Sequence, residues 1–438
     1  MDLHRIVIVG GGAGGLPLAT QLGRSLGRRG LAHITLIDRQ RRHFWKPHLH
    51  EIAAGSMDLD RHAISYMAQA HRHGFHDRIG EMTGLDRQRR VVHLAPHRDE
   101  QGRPVTPQRE IPYDSLVLAV GSVTHDFGTP GAREHAIALE SLDDAERFHR
   151  RLVNACIRAQ ANPDARGAHH LQVVIIGAGA TGVELAAELR HTSRDLARYG
   201  LECLDHEQTL GIHLVEAAAR VLPGLPERFS AAALARLRAL RVEVHTHSRV
   251  AEVLPQGVRL ADGRLIPAEL VVWAAGVKGP DYFVQGLDGL SLNRQQQLLI
   301  KPELHALDDP HVFALGDCAA CPWLGGPTEW VPPRAQAAHQ QAQHLAVNLR
   351  RRLRGQALLP WRYRDFGSLV SLGRSSTVGQ LMGSLGGGKL WLSGGLAWLM
   401  YRGLYQSHQT ALHGPWRAAI EWLAQALTRW NRPRIKLH

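Results

Sequence analysis

The sequence predicts an α/β protein: two dinucleotide-binding Rossmann-like domains plus a C-terminal amphipathic membrane-docking segment. Three observations carry that class. A strand, a glycine-rich turn, a helix and a second strand occupy residues 5–38. The same grammar returns over residues 171–216, which suggests an internal duplication. From Trp391 onward the composition changes, and apolar and aromatic residues recur at helical spacing.

The first unit runs IVIV (6–9) into Gly10-Gly11-Gly12-Ala13-Gly14-Gly15 and closes with HITLID on Asp38. In G-x-G-x-x-G after a strand, Gly10 permits the tight turn, Gly12 lets backbone approach a pyrophosphate, and Gly15 lets helix and strand pack closely. The helix start offers free N–H groups to the phosphates. Asp38, at the end of the second strand, is placed to accept from a ribose hydroxyl. The second unit repeats this with Gly177, Gly179 and Gly182, and its second strand ends at Glu216. An acid there repels a 2′-phosphate and predicts NADH rather than NADPH. Arg220, close by in sequence, bears on the same choice unless it is a solvated turn residue.

Two such turns imply two dinucleotides, hence a bound flavin that takes hydride from a nicotinamide and hands electrons on. The first turn is expected to hold FAD. Short apolar runs lie between and after the two units: SLVLAVGS (115–122) contains Gly121, LVVWAAGV (270–277) contains Gly276, and HVFALGD (311–317) ends in Gly316-Asp317. Gly121 and Gly276 follow strand ends, and Asp317 is placed to reach the ribityl chain. The expected domains are 1–125 (FAD, first part), 126–290 (NADH), 291–375 (FAD, second part, with a quinone-site helix) and 376–438 (membrane-associated).

The chain has 438 residues; 52 Lys and Arg against 40 Asp and Glu leave +12. With 44% hydrophobic and 21% charged residues, overall disorder is excluded. Four cysteines exclude a disulfide scaffold and fit a reducing compartment. The chain enters its first strand at once, without a leader pattern, and no apolar run is long enough to span a bilayer. Histidine is abundant, at 28, but no H-E-x-x-H occurs. His71, His73 and His76 read as a polar loop, most other histidines as surface, and no metal site is assigned. Cys318-x-x-Cys321 lacks the second pair that a zinc site needs, and residues 38–60 hold no redox cysteine. Cys156 and Cys203 lie in separate segments, so a structural role is expected for the thiols.

The stretches VIVGGGAGGLPLA, HFWKPHLHEIAAGSMD (43–58), IGAGATGVELAAEL (176–189), VVWAAGVKGPD (271–281), ALGDCAACP (314–322), VPPRAQAAHQ (331–340), SLVSLGRSSTVG (368–379) and RPRIKLH (432–438) span the chain in order. They resemble the bacterial type II NADH:quinone oxidoreductases, single-subunit respiratory NADH dehydrogenases that pump no protons, in their proteobacterial form. The resemblance implies FAD in the first domain, NADH in the second, and a membrane quinone (ubiquinone or menaquinone) as acceptor. It places Ala335, Gln336 and Gln340 by the quinone pocket. Glu184 falls near nicotinamide and flavin, as a positioning group or proton relay. Lys46 falls near the flavin and Lys278 on the nicotinamide side. The alternative is a soluble NADH-dependent reductase of a small redox protein, of ferredoxin or rubredoxin reductase type.

Residues 391–438 hold five of the ten tryptophans: Trp391, Trp398, Trp416, Trp422 and Trp430. Leu396, Leu399, Met400 and Leu404 share one helical spacing; Trp416, Ile420, Leu423, Leu427 and Trp430 share another, opposite Arg417, Glu421, Gln425 and Thr428. Seven Lys and Arg against Glu421 give +6 from Lys389 onward, half the net charge. Tryptophan and basic residues together predict docking on an anionic membrane surface. With no leader, the expected place is the cytoplasmic face of the inner membrane, held peripherally. A homodimer is open; nucleic acid is not expected, since no recognition motif appears.

Overall fold

The structure, a computed structural model, describes residues 3–161, 171–198, 210–373, 377–382, 389–393, 403, 405–406 and 408–428. The chain folds as two compact units. One comprises Met1–Trp45, His62–Val123 and Val277–Arg364; the other comprises Lys46–Arg61, Thr124–Gly276 and Asp365–His438.

The first unit is built on a five-stranded parallel sheet in the spatial order Val312–Ala314, Ser115–Leu118, His4–Val9, Ala32–Asp38, His76–Ile79. The apolar runs explain the inner strands. Ile6, Val7, Ile8, Leu116, Val117 and Leu118 are all buried, as strands covered on both faces require. Helices Gly15–Ser25 and Ala335–Leu353 pack against one another beside it. The strand order reverses between His4–Val9 and Ser115–Leu118, which opens a crevice at the carboxyl ends of the strands.

The second unit repeats the plan: Ile137–Ala138, Leu270–Trp273, Leu171–Ile176, Leu210–Val215, Glu243–His245, all parallel. Helix Ala180–Arg198 follows the second glycine turn, and Leu142–Ala161 and the short Leu49–Ala54 pack in the same unit. A three-stranded antiparallel sheet, Gly367–Ser371, Thr377–Met382 and Lys389–Ser393, belongs to this unit too.

The tail departs from the helical reading at its start. Trp391 lies on a strand, paired in register with Gln380. Leu396, Trp398, Leu399, Met400, Leu404, Trp430 and the closing RPRIKLH lie outside the described residues. Helix Pro415–Thr428 does form. Its Ala418 is buried, while Trp416 is 82% exposed and Ile420, Leu423 and Leu427 are exposed as well. At 100° per residue these four residues form one stripe, turned away from Ala418. Among the described residues no helix is long and apolar enough to cross a membrane.

The histidines need correction. His71 and His73 are not in a polar loop but on helix Tyr66–His73, and His76 begins a sheet strand. His73 is buried and accepts from Arg24 Nε at 2.8 Å; His76 stacks on His33. His43, His48, His50 and His149 are buried as well. Imidazole is amphipathic, so a polar-looking sequence does not fix which side it faces.

Candidate functional site

In the first unit, strand His4–Val9 delivers the chain into Gly10 with φ +100°, a conformation glycine accepts without penalty. A Cβ on Gly10 would land on the Ala119 carbonyl, and one on Gly15 would land on the Gly10 carbonyl. Gly12 differs: apart from its own chain neighbours, no described protein atom lies within 4 Å of a Cβ built there. Open space above a helix start is what a phosphate group fills, so the turn fits a dinucleotide.

Asp38 holds the turn from below. Its Oδ2 accepts the Gly11 N–H at 2.6 Å and its Oδ1 accepts the Gln40 N–H at 2.7 Å. Both carboxylate oxygens thus fix the backbone at the end of strand Ala32–Asp38. The Gly11 carbonyl accepts the Tyr66 hydroxyl at 3.0 Å. Burial first, then the Asp38 and Asp77 charges, raise the Tyr66 pKa far above its usual range, so the phenol stays a donor. Beside this turn, Gly121 and Asp317 follow neighbouring strands of the same sheet. Ser122 Oγ donates to Asp317 Oδ2 at 3.2 Å, and Gln341 Oε1 accepts the Gly316 N–H at 2.7 Å.

The second unit reproduces these bonds. Gly177 has φ +102°, a Cβ on Gly182 would meet the Gly177 carbonyl, and Gly179 again faces open space. Glu216 Oε2 accepts the Ala178 N–H at 2.7 Å and Oε1 accepts the Ala218 N–H at 2.8 Å. Gly276 has φ +69°, and a Cβ there would enter the Phe127 ring. Arg220 is not a solvated turn residue. It donates to the carbonyls of Pro223 and Leu225 at 2.8 and 2.7 Å, within its own loop, and to Ser230 Oγ at 2.8 Å on the helix Glu227–Ala239 that follows. It would have to leave those partners to meet a 2′-phosphate.

Glu184 lies in the early part of helix Ala180–Arg198 and is buried. Its Oε1 accepts the Ser371 N–H at 2.9 Å, and its Oε2 lies 3.7 Å from His50 Nδ1. Burial pushes the carboxyl up to about 8, helped by the charges of Glu51 and Glu188 and opposed by the Ser371 N–H. Burial also pushes His50 down to about 4, against the attraction of Glu51. At neutral pH the two are therefore a neutral acid and a neutral ring, not an ion pair, whatever the short distance suggests. His48 Nδ1 meets Glu51 Oε1 at 2.6 Å, and Glu51 Oε1 lies 3.9 Å from His50 Nε2. The sequence singled out Glu184 but not His48, His50 and Glu51. The HFWKPHLHE stretch held them without marking the burial of the two histidines.

Gln336 and Gln340 share helix Ala335–Leu353. The Gln340 carboxamide is engaged at both ends by the Arg364 backbone, donating to its carbonyl at 2.8 Å and accepting its N–H at 3.1 Å. Lys46 is exposed at the start of the 3₁₀ turn Lys46–His48, and Lys278 pairs with Asp281. Cys318 and Cys321 are free and buried, and burial pushes each thiol up to about 12. A catalytic thiol needs the opposite shift. Cys203 lies outside the described residues.

The pyridine nucleotide-disulphide oxidoreductase family matches residues 4–342. A type II NADH:quinone oxidoreductase of Haemophilus influenzae is 40% identical over 448 aligned positions, covering 100% of both chains. A type II NADH:quinone oxidoreductase of Mycobacterium tuberculosis is 29% identical over 97% of this chain and 88% of its own. Among solved structures, NDH2 from Plasmodium falciparum in complex with NADH superposes with a TM-score of 0.81 at 17% identity, covering 99% of this chain and 100% of that one.

Proposed function

The chain belongs to the pyridine nucleotide-disulphide oxidoreductases and, among them, to the type II NADH:quinone oxidoreductases, and from that membership we propose which residues do the work. It is a flavoenzyme that uses NADH as electron donor and a quinone as acceptor, without pumping protons. When bound, FAD supplies the relay, taking hydride from NADH and passing two electrons to the quinone.

Gly10, Gly12, Gly15, Asp38, Gly121 and Asp317 hold FAD, and Gly177, Gly179, Gly182, Glu216 and Gly276 hold NADH. One observation carries this: both turns leave open space at their middle glycine, and both are braced by a carboxylate at the end of the next strand, Asp38 as its last residue and Glu216 just after it. Glu216 selects NADH by repelling a 2′-phosphate, with Arg220 turned away. Glu184 keeps a proton on its buried carboxyl at neutral pH and supplies it as the quinone takes up electrons. Gln336 donates to a quinone carbonyl, while Gln340 fixes the returning chain at Arg364. Lys46 rests on the family resemblance alone, as a flavin-side contact.

The protein is membrane-associated. Helix Pro415–Thr428 docks it peripherally on the anionic cytoplasmic face of the inner membrane, through Trp416, Ile420, Leu423 and Leu427. The test is anaerobic mixing of the FAD-loaded enzyme with NADH and then a soluble quinone. Flavin absorbance should bleach and then recover. Failure to bleach overturns the donor half, and recovery only with a ferredoxin-type protein overturns the acceptor half.

A further inference from the structure

The second sheet gathers three residues that sequence spacing keeps apart. His213 on strand Leu210–Val215 pairs in register with Glu243 on strand Glu243–His245. His245 lies two residues further, on the same face as Glu243. His213 Nδ1 is 3.2 Å from His245 Nε2 and 3.3 Å from Glu243 Oε2. One nitrogen or oxygen from each of the three lies within 4.8 Å of the others. A tetrahedral metal with bonds of about 2.0–2.1 Å sets neighbouring ligand atoms about 3.3 Å apart. Two edges of such a tetrahedron therefore stand at the required length. The Glu243 side chain is 67% exposed, so it is free to swing and close the third.

The central ring is oriented from behind. His213 Nε2 lies 2.9 Å from Gln172 Oε1, an acceptor, so the ring carries its proton there and turns the Nδ1 lone pair toward Glu243 and His245. Gln172 reaches it because position 211 is glycine: a Cβ there would collide with the Gln172 carboxamide. Burial lowers the pKa of both imidazoles, against the pull of Glu243; His245 adds to the lowering at His213, and Arg264 adds to it at His245. Neutral rings are ligands without first losing a proton.

We propose that His213, Glu243 and His245 form a binding site for one divalent transition metal of the zinc class, with Gln172 orienting the central ligand and the fourth position open to water. Two histidines and a carboxylate are a zinc ligand set. The site ties the edge strand Glu243–His245 to Leu210–Val215. The His245 carbonyl accepts the Glu216 N–H at 2.8 Å, so a bound metal braces the backbone that carries the nucleotide acid.

The test is calorimetric titration of FAD-loaded, tag-free, chelator-stripped full chain with Zn²⁺, and the visible spectrum with Co²⁺. Expected are one metal per chain, tetrahedral cobalt bands, and affinity that falls as pH drops through the imidazole range. Glu243→Gln, at an exposed position, should weaken binding about tenfold or more, and Gln172→Ala about 10–100-fold. His213→Ala with His245→Ala should abolish it, while Cys321→Ser leaves it unchanged. No zinc binding at micromolar concentration, or unchanged binding in Glu243→Gln, overturns the proposal. If the double histidine variant fails to fold, Glu243→Gln decides.

Discussion

The Glu184 carboxyl accepts the backbone N–H of Ser371 at 2.9 Å, although the two residues are 187 positions apart in the chain. That bond ties the first turns of the helix after the second glycine turn to the antiparallel sheet of the same unit. It also leaves the acid buried with one backbone donor, so its proton is retained at neutral pH.

Glu184→Gln keeps an acceptor for Ser371 and removes the titrating proton. Flavin reduction by NADH should survive, while quinone reduction slows by roughly a hundredfold or more. In the native enzyme the quinone step should decline as pH rises through about 8, where Glu184 loses its proton. The variant's profile should be flat there. Stopped-flow measurement of the two half-reactions across pH checks both; a retained decline in the variant rules Glu184 out.

The same acid sets a stability slope. Its folded pKa is raised, so the folded state binds more protons than the unfolded one between the usual carboxylate range and about 8, and stability falls with rising pH there. His50 is lowered to about 4, which makes stability rise with pH between about 4 and the usual imidazole range. Glu184→Gln should remove the alkaline loss, and His50→Gln the acid one. Denaturant midpoints at several pH values measure them.

Gly12→Ala and Gly179→Ala add a methyl where the protein leaves room, so both should fold with nearly native Tm. Gly12→Ala should purify with depleted flavin, while Gly179→Ala keeps its flavin and raises KM for NADH. Gly10→Ala, at φ +100° and against the Ala119 carbonyl, should fold poorly. Equal flavin content in all three would refute the assignment of the first turn.

Glu216→Arg should raise the NADPH/NADH ratio of kcat/KM by about tenfold or more. It should also lower absolute activity, because the bonds to Ala178 and Ala218 are lost. Steady-state kinetics with both nucleotides read the ratio, and no change would remove Glu216 from the selection.

Ile420→Glu with Leu423→Glu should release the protein from anionic vesicles while NADH oxidation with a water-soluble acceptor stays native. Each basic residue near such a surface contributes about 1 kcal/mol, so native binding should also weaken with salt. Vesicle co-sedimentation decides it. Unchanged sedimentation of the variant would place docking elsewhere.

What could be read in advance was local. The two glycine turns announce themselves because backbone geometry, close packing and a ligand each demand glycine at a fixed offset, and the acid ends the very next strand. Glu184 was marked only by its motif. Its partner Ser371, the neutral His50 beside it and the Arg364 clasp on Gln340 depend on chain returns that no spacing encodes. The gathering of His213, Glu243 and His245 depends on sheet order in the same way. Arg220 was ambiguous because sequence distance says nothing about which way a guanidinium turns.

The strand order has a consequence for synthesis. Strand Val312–Ala314 is one edge of the first sheet, although three other strands of that sheet lie within the first 79 residues. The strands of the second sheet all lie between Ile137 and Trp273. A ribosome extends the chain from its N-terminus, so the later sheet has every strand available while the earlier one still waits for its last. Asp317 emerges later still, so a nascent chain must hold an unfinished flavin site open until most of the polypeptide has been made.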